Sequence, residues 1–399
     1  MAADLRPRIG RAAAAGVALI IGLSAQAAAA TVRVAVLEHR TGVVFTCDGG
    51  LVVRAAGDVP LTPLVGPRMT TVAEVSVQAD GLSLDASVPA GDRVVIAPLG
   101  AGILNIDDRP YHGWAIAQRD TTGTFSVVNA VDIEQYLYGV LAAEMDAGWP
   151  AAALQSQAVV ARTYSLAHAG RHEAEGFDLY AGERDQAYRG AVGESQTIVD
   201  AVDSTRGLVL TFENRPIHAY YSSSDGGYTA DGTALNDPQP YLAAQPDPYT
   251  ATLPDVRWSA KLSLDAIADA VRKKGLGELG SIRGVSLGSP DQSGRIATLS
   301  IQGTSGTAEV SAQLFRKLMG TRKIKSTRID GAVVDGPAVT FTGTGFGHGV
   351  GLSQWGARQM AQTGYNATDI LRFYYPGTAL SSMSSLPPPT AVATPPAKR

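Results

Sequence analysis

Cysteine is almost missing from this chain: 399 residues carry one, Cys47. A single thiol excludes an internal disulfide framework and any zinc site built from several cysteines. Charge is also sparse. Charged residues make up 18% against 45% apolar, so burial can offset ordering entropy and disorder is excluded as the main state. The formal net charge of −4 leaves no global basic surface of the kind that drives phosphate contacts, which excludes nucleic acid as a partner class. Beyond the first thirty residues, no apolar run is long enough to cross a membrane.

What is present divides into four parts. Residues 1–30 read as a secretory signal peptide: Arg6, Arg8 and Arg11 precede an apolar stretch from Ala12 to Leu23, and small residues follow, with cleavage near Ala27 to Ala30. The alternative is a retained N-terminal anchor, although the run is shorter than the roughly 20 residues a span needs. Both readings place the working protein outside the cytosol, in the cell wall or extracytoplasmic space, where Cys47 reads as a small buried hydrophobe. Residues 31–125 alternate like strands, as in Val32, Val34 and Val36, with an Asp80-Gly81 turn, and form a β-rich platform.

Residues 126–385 form a mixed helix and strand core. Asp132 caps a helix to about Leu141, and a second runs from Pro150 to Ala169. Further helices are expected at 195–204, 264–274, 310–318, 352–362 and 366–374, with strands at 208–212, 217–222 and 338–341. Residues 386–399 are a Pro- and Ala-rich tail, expected to be disordered. The fold class is therefore α+β, a β-rich N-terminal platform followed by a mixed core, with strand residues slightly outnumbering helical ones.

Glu144 is the carboxylate that stands out. It falls between two helices, among Tyr138, Leu141, Met145 and Trp149, and apolar surroundings raise a carboxyl's pKa toward that of a general acid. The plainer reading is a solvated loop glutamate. The run Gly343 to Gly351 alternates glycine with Thr344, Phe346, His348 and Val350, so an extended backbone would leave one face bare for a ligand or another segment. It matches no phosphate loop, and Gly351-Leu352-Ser353-Gln354-Trp355 is no nucleophile elbow.

His218 precedes Ser222, Ser223, Ser224, Asp225 and Tyr228; such clusters are chiefly turn chemistry, though a serine triad or a sugar-lining loop is open. His218 and His348 could share a metal, but no paired His spacing supports one. Arg162, inside an apolar helix, marks a buried ion pair or a site wall. Direct pairing with Glu144 would oppose an acid role, so its partner should be another carboxylate or the substrate.

Three segments together resemble the SpoIID/LytB family, the stage II sporulation protein D and amidase-enhancer relatives. They are Val128-Asn129 through Glu144-Met145 and Trp149-Pro150 to Gln157 through Tyr164; Tyr220 to Thr229 with Pro240-Tyr241-Leu242; and Gly343 to Gly351 continued by Ser353 to Ala357 and Tyr374 to Thr378. The resemblance implies an exported, peptidoglycan-acting lytic transglycosylase on stem-peptide-free glycan strands, with Glu144 as its single acid and base. It also implies cooperation with a cell-wall amidase, and the rival reading is a binding module that enhances an amidase and cuts nothing. Substrate contacts are expected from Arg162, Ser222, Ser223, Ser224, Asp225, Tyr228, His348, Ser353, Gln354 and Trp355. Some relatives bind zinc near the segment that here runs Tyr180 to Tyr188, which holds neither Cys nor His, so no metal and no cofactor are expected.

Overall fold

The computed structural model describes residues 30–55, 68–86, 88–253 and 256–387. The leader called at 1–30 and the tail called at 386–399 lie almost wholly outside them. Among the described residues the fold is α+β, with 39% strand and 24% helix. Strand exceeds helix by more than the sequence suggests, because the platform strands run long, Gly42–Ala55 and Arg68–Gln78 among them.

The platform is one large sheet. Its first strand, Thr31–Arg40, lies antiparallel to Phe125–Asp132 on one side and parallel to Leu179–Tyr180 on the other. Alternation buries Val32 and Val34 while Thr31 stays exposed. Cys47 is a free, buried thiol within this sheet's core. Phe125–Asp132 feeds directly into helix α1 (Ile133–Glu144), whose N-cap Asp132 accepts from the Glu134 and Gln135 amides. The helix runs one turn beyond Leu141, so Glu144 is its last residue rather than part of a connection.

Helix α2 (Ala151–Ala167) is the axis of the molecule. Its small residues Ala153, Ala158 and Ala161, with Leu154, Val159 and Val160, are buried on nearly every side. A helix apolar all round belongs inside, and α2 is packed by α1, by α3 (Gln196–Asp203) and by strand Leu208–Phe212. A single hydrophobic core joins the sheet (Phe45, Ile96, Phe125) to the helices (Tyr136, Leu141, Val160) and to C-terminal residues Val350, Leu352 and Tyr375.

Residues 256–344 build a second core around Trp258, Ile267, Leu299, Phe315 and Phe341. It contains two three-stranded antiparallel sheets with α4 (Leu264–Lys273, capped by Ser263) and α5 (Ala312–Met319, capped by Ser311). Val310 lies on strand Thr307–Ser311, because the Ser311 cap starts the helix two residues later than apolar periodicity implies. Entry and exit of this body meet where the Gly345 amide bonds to the Val256 carbonyl at 2.7 Å. The chain then closes with α6 (Gln354–Gln362) and α7 (Ala367–Tyr374). The continuous strand expected at 217–222 is reduced to Tyr221–Ser222, which pairs in parallel with Leu352–Ser353.

Candidate active site

Glu144 is brought to its place by the C-terminal turn of α1 and is half-buried. Its Oε1 accepts from the Ala187 backbone N–H at 2.9 Å and from the Tyr221 hydroxyl at 3.4 Å; among the described residues its Oε2 receives only the Gln354 carboxamide, at 3.4 Å. Burial raises the carboxyl's pKa above its ordinary value, and the three donors offset part of that rise. Oε2 has a single contact near the limit of hydrogen-bonding distance, so it is the oxygen less committed to the protein.

The donors are themselves held. Tyr221 accepts from the Gln186 amide at 3.2 Å, and the Gln186 oxygen accepts from Tyr136 at 3.1 Å and Ser165 at 2.9 Å. This chain ties α1, α2 and the 180–188 segment to the acid, and Gln186 is fully buried. Tyr221, Gln186 and Ala187 were not singled out from sequence. A backbone amide leaves no residue-type signal, whereas Tyr221 beside the Ser-rich run could have been noticed as the phenol of that loop.

Gln354 and Trp355 do reach this region. Gln354 opens α6, capped by Ser353, and Trp355 packs its ring 5.3 Å from that of Trp149. Trp149 sits in the turn five residues after Glu144.

Other expected contacts are placed elsewhere. Arg162 does not line the site: it is fully buried and forks onto Glu134, with Nη2–Oε2 at 2.6 Å and Nε–Oε1 at 3.1 Å. Further donors reach the Leu208 and Val202 carbonyls, and full burial keeps the group from a ligand. Ser224, Asp225 and Ser353 are likewise buried. Ser224 accepts from Gly226, Ser353 caps α6, and Asp225 Oδ1 accepts from Gly227 at 3.0 Å and Thr250 at 2.5 Å. These are turn and cap bonds inside the protein. Ser222 is buried too and accepts from the Gly349 amide at 3.2 Å. Ser223 and Tyr228 are partly open, and Tyr228 accepts from Gln292 at 2.8 Å.

The glycine run is not extended. Gly345, Gly347, Gly349 and Gly351 all have positive φ, so the loop winds, and protein rather than ligand fills the bare face. At Gly347 an added Cβ would lie 2.5 Å from Ser222 Cβ, and at Gly349 it would lie 1.9 Å from Arg295 Nη2. His348 Nδ1 accepts from the Val350 amide, and burial with Arg295 and Arg316 nearby pushes its pKa down to about 4. A neutral His348 is therefore a structural acceptor at neutral pH.

His218 pairs with Asp237 at 2.5 Å and meets no serine through a hydrogen bond among the described residues. The segment 180–188 does not fit a zinc site. Its Asp185 accepts from Tyr164 at 3.1 Å and the Tyr180 amide at 2.8 Å, and no group of three metal-ligating side chains gathers among the described residues.

Comparison with known proteins supplies the family. The family described as "Stage II sporulation protein" matches residues 121–212, which hold Glu144, Arg162 and the 180–188 segment; a domain of unknown function matches 236–351. An uncharacterized protein of Brachyspira hyodysenteriae is 31% identical over 264 residues, 64% of this chain and 68% of that protein. Stage II sporulation protein D of Bacillus amyloliquefaciens is 30% identical over 284 residues, 66% of this chain and 78% of that protein. The amidase enhancer of Bacillus subtilis is 30% identical over 299 residues, 62% of this chain and 40% of the larger relative.

Proposed function

This chain belongs to the stage II sporulation protein D family, and we propose that it is an exported lytic transglycosylase acting on peptidoglycan strands freed of stem peptides. The observation that carries the reading is Glu144: a carboxyl raised by burial, with one oxygen held by Ala187 and Tyr221 and the other lightly held. An acid must keep its proton near neutral pH and give it up in the transition state, and this environment favours both.

The groups touching Glu144 are an amide, a phenol and a carboxamide. Among the described residues no second carboxylate contacts it. Ordinary glycosidases pair two carboxylates to manage a water. Here one suffices if the muramic acid's own 6-hydroxyl is the nucleophile. Oε2–H protonates the glycosidic oxygen as the C1–O bond breaks; the 6-hydroxyl oxygen then bonds to C1 while Glu144 takes its proton. The carboxyl is restored, a 1,6-anhydro end is left, and no water is consumed. Gln354 and Tyr221 position the acid, and Trp355 lines its approach.

The similarity to a relative named an amidase enhancer favours a second reading, in which the same surface recruits or stimulates a cell-wall amidase and cuts nothing. Mass spectrometry of stripped glycan incubated with the protein separates the two. Anhydromuramyl ends that disappear in Glu144→Gln support the enzyme. No new ends, together with faster cleavage by an added amidase, support the enhancer.

A further inference from the structure

Beside the acid lies a cluster of which the reaction above uses only Trp355, as part of the approach. Trp149 and Trp355 are tilted 58° to each other, and the Arg358 guanidinium sits 4.9 Å from the Trp355 ring centre and 5.4 Å from that of Trp149. Trp355 and Arg358 are three residues apart on α6 and so share a face. All three side chains are half-buried, which leaves part of each ring open. The cluster is anchored next to Glu144 from both directions, since Trp149 follows it by five residues and Gln354, which contacts it, precedes Trp355.

Beyond the two indoles, Arg358 has no partner among the described residues. Its Nε is buried without a hydrogen bond, and no ion pair or hydrogen bond to Arg358 exists among the described residues. A buried N–H left unpaired is costly, and two indoles tilted to each other flank the guanidinium, so its position is restricted before any ligand arrives. The missing partner should be a planar anion able to take two parallel N–H bonds, on a molecule with an apolar face for the indoles. A sugar ring bearing a carboxylate meets both demands.

We propose that Trp149, Trp355 and Arg358 form a muramyl subsite in which Arg358 binds the free lactyl carboxylate. The substrate class rests on the reading under Proposed function; the binding does not require cleavage. In a strand that still carries stem peptides the lactyl group is an amide, has no charge and offers one acceptor oxygen instead of two. Arg358 would therefore make the chain selective for stripped glycan, a specificity role distinct from the proton transfer of Glu144.

The test is equilibrium binding by calorimetry with Glu144→Gln protein, which leaves the ligand intact. It compares a stripped strand with the same strand after its lactyl carboxylates are converted to methyl amides. The acid form should bind about tenfold tighter, as expected for one charge-assisted pair. Adding Arg358→Gln should remove that preference by weakening the acid form alone, and Arg358→Lys should restore only part of it. Equal affinity for the two forms overturns the proposal, as does a preference that survives Arg358→Gln or an absence of binding to both. The first comparison needs no change at Arg358, so a poorly folding variant does not blunt it. Cleavage is scored separately. Anhydro ends with equal affinities sink the subsite and keep the enzyme; a carboxylate preference without anhydro ends does the reverse.

Discussion

Arg162→Met is the most direct test of how this core is held. The Arg162 and Glu134 side chains are 0% and 5% exposed, and the guanidinium satisfies both carboxylate oxygens and two backbone carbonyls. Methionine fills most of the volume, so the cost comes from charge: among the described residues Glu134 keeps the Gly207 amide alone, and the Leu208 carbonyl loses the Arg162 donor, while the Val202 carbonyl still accepts from Thr205. An uncompensated buried charge costs about 3–5 kcal/mol. At a urea m-value of roughly 3 kcal/mol/M or more, the unfolding midpoint should drop by about 1 M. Replacing both partners, Arg162→Met with Glu134→Leu, should recover most of the loss, because apolar groups of similar size need no partner. The folded variant should bind glycan with wild-type affinity, since Arg162 reaches no open surface. A midpoint shift below about 0.3 M, additive effects in the pair, or weakened glycan binding by folded protein would refute the argument.

Glu144→Gln should lower formation of anhydro ends by roughly 10²–10⁴-fold, read by mass spectrometry. The same variant should be more stable than wild type at pH 7. Burial raises the folded carboxyl above 4.5, so the native state binds the proton more tightly and loses stability as pH climbs from 4.5 through the raised value; glutamine has no such loss, and urea curves should converge near pH 4. Tyr221→Phe removes a donor that lowers the Glu144 pKa, so the alkaline limb of the kcat/KM profile should move to higher pH. Gly349→Ala combines a φ of +76° with a Cβ 1.9 Å from Arg295 and should cost about 2–4 kcal/mol in thermal unfolding.

Local grammar was legible where one residue type has one structural use. Asp132 caps the helix it was expected to cap, helices are found where 195–204 and 264–274 were expected, and Leu208–Phe212 is the strand its apolar run implies. Glu144 stood out because a carboxylate among Leu141, Met145 and Trp149 is chemically out of place. The partners that tune it did not. Ala187 acts through its backbone, and Gln186 and Tyr221 matter only because the chain brings them from 42 and 77 residues away from Glu144. Ser224, Asp225 and Ser353 misled for the opposite reason. Polar residues in a glycine-rich run look like ligand contacts, yet such a run also packs tightly enough to bury them. The glycine alternation suggested an extended face; the positive φ angles wind it instead, a property that spacing does not encode.

The 221–228 loop, against which the glycine run packs, has a consequence for the acid. The loop's core holds Asp225, whose pKa burial and the adjacent Asp247 push well up. Its outward carbonyls are then satisfied from the second hydrophobic body: Arg295 donates to Asp225 at 2.8 Å and to Tyr228 at 3.0 Å, and Arg328 donates to Gly226 at 2.5 Å. On its other side the loop presents Tyr221–Ser222 to Leu352–Ser353 in a two-residue parallel pairing, and the Trp355 amide bonds to the Ser223 carbonyl at 3.0 Å. Those bonds set the first turn of α6, which carries Gln354 to Glu144 and Trp355 to Trp149. The second body thus reaches the acid without touching it. Two guanidiniums fix the loop, the loop fixes the start of α6, and α6 supplies a carboxamide to Glu144 and an indole beside it. An arrangement of this kind places the tolerance of the site in Arg295 and Arg328, residues that sequence reading gave no reason to link with a glutamate more than 150 positions earlier.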